Sequence, residues 1–122
     1  MALWSAKPLS SGFPQAARIK KPREFQRVFQ GGAKTVGRFF VVFARRRDKA
    51  RARLGLAVGR KVGNAVVRNR IKRLVREGFR HEQDRLQGLE VVVVARGSAA
   101  RGTSGQLTDD LAACWRKISH DQ

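Results

Sequence analysis

Residues 54–80, LGLAVGRKVGNAVVRNRIKRLVREGFR, limit what this chain can fold into more than any other stretch. An apolar run of strand character passes through a turn bracketed by Gly59 and Gly63, with Arg60, Lys61 and Val62 between them, and then enters a periodic helix. Asn64 stands where an N-cap belongs, its side chain able to accept an orphan amide of the first turn. At ~100° per residue, Val67, Ile71, Leu74, Val75 and Phe79 fall on one arc and must face a core. The opposite arc carries Lys72, Arg76, Asn69, Arg80, Arg73 and Arg70, with Arg68 at its boundary and Glu77 as its only acid. A solvated helix ordinarily mixes charges to gain ~0.2–0.5 kcal/mol per i,i+4 pair. Here the cations face one another, so the compensating charge has to come from outside the protein.

At 122 residues the chain makes one domain with a single core. Its 27 Lys and Arg against 9 Asp and Glu leave a net charge of +18, which calls for a polyanion, nucleic acid above all. A membrane surface is the rival anion, but the basic helix spends its apolar arc on the neighbouring strands and keeps no face to insert. One cysteine, Cys114, allows no internal disulfide and reads as core packing in a reducing compartment. No apolar run reaches the ~20 residues of a membrane span, and the amino terminus lacks a secretory pattern. The simplest location is the cytoplasm.

In chain order, residues 1–17 lack a period that would bury a face and read as a disordered leading segment. A first helix starts near Pro22, whose missing amide hydrogen costs nothing there, places Phe25, Val28 and Phe29 at helical spacing, and ends at Gly31 and Gly32. Phe25 and Phe29 admit two compatible readings: core packing, or ring edges lining a groove for an unstacked base. Residues 34–36 make a short strand and residues 38–45 a stronger one. Alternation sets Phe39, Val41 and Phe43 on one face and Phe40, Val42 and Ala44 on the other. Either the sheet is covered on both sides or one face is an aromatic-bearing binding surface. The cationic loop after it reads as a solvated hairpin connection, with phosphate contact as a second possibility, leading to a third strand over residues 54–58, antiparallel to the second. The basic helix runs to about Arg85. Residues 89–95, LEVVVVA, are apolar enough for burial on both faces in mid-sheet. Strand, helix and strand imply a parallel pair, for which a right-handed crossover is the default. A last helix begins near Ser104 as cap, with Leu107, Leu111, Cys114, Trp115 and Ile118 inward and Asp109 and Asp110 favouring its amino-terminal dipole. Residues 119–122 form a tail.

Protein-borne chemistry is absent from the pattern. His81 and His120 belong to no metal-ligand spacing, Asp109 and Asp110 point ~100° apart with no further carboxylates to complete a two-metal site, and Gly59 and Gly63 lack a Walker ending. No catalytic residue and no metal ligand is expected; the chain reads as a binder.

Within residues 55–80, the run GRKVGNAVVRNRIKRLVRE from Gly59 to Glu77 resembles the signature of the bacterial ribonuclease P protein component, including its Arg-Asn-Arg element at Arg68, Asn69 and Arg70. The resemblance covers residues 18–118, because the α-β-β-β-α-β-α order is also the family's. It implies an α+β domain with a mixed four-stranded sheet and an unusual left-handed βαβ crossover, an exception to the default. It further implies the protein subunit of a ribonucleoprotein endonuclease that removes the 5′ leader of precursor tRNA. The catalytic RNA, using Mg2+, does the cutting; the protein binds it one to one, needs no other protein, and helps hold the leader. Carried onto this chain, Arg60, Lys61, Asn64, Arg68, Asn69, Arg70, Lys72, Arg73 and Arg76 face the catalytic RNA. Phe25, Phe29 and Phe43 fall on the leader cleft, with Phe39 joining Phe43 by alternation; Phe43 stands where some relatives carry tyrosine and so lacks a hydroxyl. A ribosomal-protein-like structural RNA binder is the alternative, and a self-sufficient nuclease a third reading.

Overall fold

The computed structural model describes residues 18–47 and 51–121. The reading of residues 1–17 lies outside them. Helix α1 (Pro22–Gly31) is followed by strands β1 (Ala33–Val36), β2 (Phe40–Arg46) and β3 (Arg53–Ala57), helix α2 (Ala65–Glu82), strand β4 (Leu89–Ala95) and helix α3 (Ser104–Asp121). Single 3-10 turns at Arg60–Val62 and Gly97–Arg101, which periodicity is too short-sighted to register, lead into α2 and α3.

The sheet order is β1-β2-β4-β3. β2 pairs antiparallel with β1 and β4, and β3 pairs in parallel with β4 alone. The expected hairpin between the second and third strands is therefore not formed. They run in opposite directions, but β4 lies between them, because its valines can be buried on both faces only in the interior of the sheet: Val91, Val92 and Val93 are all at most 1% exposed. The outer edge of β3 is closed by the segment before α1, where the Ile19 amide donates to the Leu54 carbonyl at 2.9 Å.

That bond also fixes the hand of the crossover. Leu54 turns its side chain toward α2, into the cluster with Ile71, Val75 and Phe79, while its carbonyl points to Ile19 and away from β4. For an L-residue this places β4 to the left of an upward β3 viewed from the helix side, so β3-α2-β4 is left-handed, against the usual rule.

Side chains alternate accordingly. Phe40, Val42, Ala44, Leu54, Val91 and Val93 meet α2 and α3 in the main core, with Phe79 and Trp115 rings 6.2 Å apart between the helices. Val92 turns to the other face, against Val28 of α1 and Ile19. At ~1.5–3 kcal/mol per fully buried aliphatic side chain, the larger cluster dominates stability. The α3 cap is Thr103, one residue earlier than expected: its Oγ1 accepts the Gln106 amide at 3.1 Å while Gln106 Oε1 accepts the Thr103 amide at 3.0 Å. The helix continues past Ile118 to Asp121.

Phe39 departs from the alternation. Asp110 accepts the amides of Arg38 and Phe39, both at 2.9 Å, which holds those residues in a bend and delays the strand to Phe40. The Phe39 ring consequently enters the main core at 3% exposure, beside Gly102 on the α3 side of the sheet. It does not share a face with Phe43. Asp110 thus serves as a clamp on the β1–β2 loop, a role its position in the sequence did not suggest.

Candidate nucleic-acid interface

The Arg60–Val62 turn and α2 form a rigid entry. Val62 is 2% exposed and anchors the turn, leaving Arg60 and Lys61 outside. Gly63 takes φ 156°, and a Cβ there would meet Val67 at 3.0 Å, so the tight junction with α2 needs glycine. Asn64 caps the helix, its Oδ1 accepting the Val67 amide at 3.0 Å, and Arg68 Nε donates to the Gly63 carbonyl at 3.1 Å. Arg68 is therefore oriented by the backbone it follows, with its remaining donors available.

Along α2 the burial of Ile71, Val75 and Phe79 turns the cationic arc outward. Arg80 bonds Glu77 at 3.0 Å, and this hydrogen bond holds the Glu77 carboxyl below its ordinary range against the opposing effect of burial. Among the described residues no carboxylate reaches Arg60, Lys61, Arg70, Lys72, Arg73 or Arg76. Arg76 is strained electrostatically: burial and then the neighbouring Arg18 charge both lower its pKa. Arg18, Lys20, Lys72 and Arg76 line a groove of about 230 Å³ floored by Ile19, Leu54 and Leu56, carrying positive charge from α2 around the β3 edge toward α1.

On the opposite sheet face lies an aromatic trough. Phe29 is 39% exposed and meets Phe43 edge-to-face at 4.9 Å; Phe25 follows at 6.3 Å. Phe25 lies so close over β3 that a Cβ on Gly55 would sit 2.9 Å from its ring. Val41, Val94 and Ala57 continue this face half-buried and Val36 is exposed, so α1 covers only part of it. Phe25, Phe29 and Phe43 are thus brought together, and Phe39 is not.

One feature of this face was missed in the sequence. Glu90, fully buried at the start of β4, gathers Arg45 (3.0 Å), Arg53 (3.2 Å), Arg27 (3.3 Å) and Arg47 (3.7 Å). Arg53 also bonds Glu24 at 3.2 Å. Burial alone raises the Glu24 carboxyl, but the Arg53 hydrogen bond and the Lys21 and Lys20 amides hold it down at about 2. The available signal was a lone acid in an otherwise apolar strand, which must meet a cation once buried.

Among the described residues no three His, Cys, Asp or Glu converge on a metal position, and no helix is long and apolar enough to cross a membrane. Burial, reinforced by Asp110, pushes the Cys114 thiol up to about 11, away from any nucleophilic role.

Comparison with known proteins points to a single family. A family profile described as Ribonuclease P matches residues 13–119. The ribonuclease P protein component of Exiguobacterium sibiricum is 41% identical over 102 residues, covering 82% of this chain and 88% of the relative; that of Stutzerimonas stutzeri is 39% identical, covering 93% and 88%. The solved RNase P protein of Staphylococcus aureus superposes with a TM-score of 0.79 at 36% identity, covering 85% of this chain and 96% of the other. That of Thermotoga maritima gives 0.73 at 30% identity, covering 82% and 96%. With the profile spanning most of the chain, and both sequence and fold agreeing, the chain belongs to the bacterial ribonuclease P protein family.

Proposed function

We propose that the cationic face of α2 docks on the catalytic RNA of ribonuclease P while the trough lined by Phe25, Phe29 and Phe43 holds the 5′ leader of precursor tRNA. As a member of this family the chain is the RNA-binding protein subunit of a ribonucleoprotein enzyme of tRNA 5′ processing. The observation that carries the residue-level reading is the uncompensated charge of α2. Arg60, Lys61, Arg68, Arg70, Lys72, Arg73 and Arg76 lie together on a helix and turn whose other side is core, with Asn64 and Asn69 among them as uncharged polar groups. Guanidinium groups bridge phosphate oxygens and stack on exposed bases.

The two surfaces lie on opposite faces of one sheet, so catalytic RNA and leader do not compete for them. Holding both at once makes leader capture effectively intramolecular, and precursor is favoured over leaderless product by whatever the trough contributes, ~1–3 kcal/mol per stacked base. The protein supplies binding and charge neutralisation; Mg2+ bound by the RNA subunit supplies the chemistry. A one-to-one complex in the cytoplasm is the form this reading expects.

Leader removal from precursor tRNA at low Mg2+, measured with catalytic RNA alone, protein alone and both, tests it. Activity is expected only with both, and is expected to disappear in the double variant Arg68→Ala with Arg70→Ala. Cleavage by the protein alone overturns the reading in favour of a nuclease, and binding without any leader-dependent effect overturns it in favour of a structural RNA binder.

A further inference from the structure

We infer that Glu90 is a positioning residue: the guanidinium groups gathered on it form a phosphodiester-binding site at one end of the aromatic trough. The inference rests on the trough holding an RNA strand, and assigns that strand's phosphates to residues outside the basic helix.

A buried carboxylate needs one well-placed cation to be tolerated. Glu90 has four. Its Oε1 accepts from Arg45 and its Oε2 faces Arg53, Arg27 and Arg47. Among the described residues, counting Glu24, four guanidinium groups share two carboxylates, a surplus of two positive charges. Each arginine has five N–H donors, and Arg27, Arg45 and Arg47 keep 45%, 34% and 35% of their side chains exposed, so donors remain directed at solvent. Their place on the sheet is fixed by register. Arg45 lies opposite Glu90, and Phe43 opposite Val92, on the same face. Arg45 therefore begins one same-face step, ~7 Å, from Phe43 of the ring pair Phe29–Phe43. From the level of Glu90, β3 runs from Arg53 to Ala57, ~13 Å along the sheet, before the chain reaches Arg60 and α2. A strand lying on the rings thus meets the Glu90 cluster at the end away from the α2 entrance. If α2 sits against the catalytic RNA, these are the leader phosphates distal to the cleavage site.

The sign of one substitution separates positioning from bulk charge. Glu90→Gln makes an already basic protein more positive, so bulk electrostatics alone expects tighter RNA binding. Positioning expects the reverse, since without the carboxylate the arginines repel one another and lose their fixed directions. In the holoenzyme, Glu90→Gln is expected to weaken precursor tRNA about tenfold, the scale of one charge-assisted hydrogen bond, while leaving leaderless tRNA and the affinity for catalytic RNA unchanged. Unchanged or tighter precursor binding by a folded variant overturns the proposal.

Should Glu90→Gln fail to fold by circular dichroism, Arg45→Ala decides alone, because its side chain is partly exposed. Precursors carrying one neutral methylphosphonate linkage at a time along the leader are titrated against wild type and Arg45→Ala. One leader linkage distal to the cleavage site is expected to lose affinity when neutralised in wild type and to lose none in the variant. If no linkage behaves differently in the two, or if Arg45→Ala weakens leaderless tRNA equally, the site does not hold a leader phosphate. Phe29→Ala run in parallel separates the two levels. Loss of leader affinity there, with no effect at Glu90 and Arg45, leaves the trough standing and removes this site; no loss at Phe29 removes the trough itself.

Discussion

Replacing Arg70, Lys72 and Arg73 together by alanine is expected to stabilise the free protein while weakening its hold on the catalytic RNA. In the native helix, Lys72 faces like charges at Arg68 and Arg76 four residues away, and Arg73 faces Arg70 and Arg76 three residues away. Glu77, the acid on this face, pairs with Arg80 and His81 and reaches none of the three. At ~0.2–0.5 kcal/mol per like-charge neighbour, the triple variant gains about 1 kcal/mol, enough to raise Tm by about 4 °C in a domain of this size. Binding moves the other way. With Arg60, Lys61, Arg70, Lys72, Arg73 and Arg76 each meeting one phosphate at a slope of about −0.7, log affinity against log salt falls with a slope near −4. A threefold rise in salt then costs roughly 100-fold in wild type but only about tenfold in the variant, whose slope drops to about −2. Thermal melts of the free protein and salt titrations of catalytic-RNA binding check both halves. A wild-type slope near zero, an unchanged slope in the variant, or a loss of thermal stability would each refute the view of α2 as a face whose charge is satisfied only by RNA.

Phe29→Ala removes a ring that is already 39% exposed, so it should cost about 1 kcal/mol of folding stability but ~1–3 kcal/mol of precursor affinity, measured against leaderless tRNA. Asp110→Ala leaves the Arg38 and Phe39 amides without their acceptor and frees the bend that directs Phe39 into the core; urea unfolding should report a loss of about 3 kcal/mol. Glu24 makes acid stability depend on pH in a definite direction. Its carboxyl binds a proton at the ordinary 4.5 when unfolded but only at about 2 when folded, so its contribution is complete above 4.5 and fades as pH falls toward about 2. Glu24→Gln should flatten the stability-pH curve across that window, and curves of equal steepness would show that the Arg53 pairing contributes nothing.

What the sequence determined by itself was everything carried by local periodicity and short-range chemistry. Asn64 as cap, the inward stripe of α2, the bounds of β4 and the amphipathic last helix follow from spacing within one or two turns. The unmatched cations of α2 were legible for the same reason, because a helix wheel places i, i+3 and i+4 neighbours without reference to the rest of the chain. The left-handed crossover came only through resemblance, since no local rule favours it.

Tertiary structure decided what depends on partners distant in sequence. β4 separates β2 from β3 because only an interior strand buries its valines on both faces, a competition that no hairpin signal between residues 46 and 53 reveals. Phe39 left the trough because Asp110, 71 positions away, takes its amide and breaks the alternation that sequence reading extended through it. The Glu90 cluster draws arginines from α1, β2, β3 and the stretch after β2, and no window of sequence contains it. Burial turns a single acid into an organising centre: once β4 is sealed in the sheet, the carboxylate must collect charge from whichever elements the fold brings within reach.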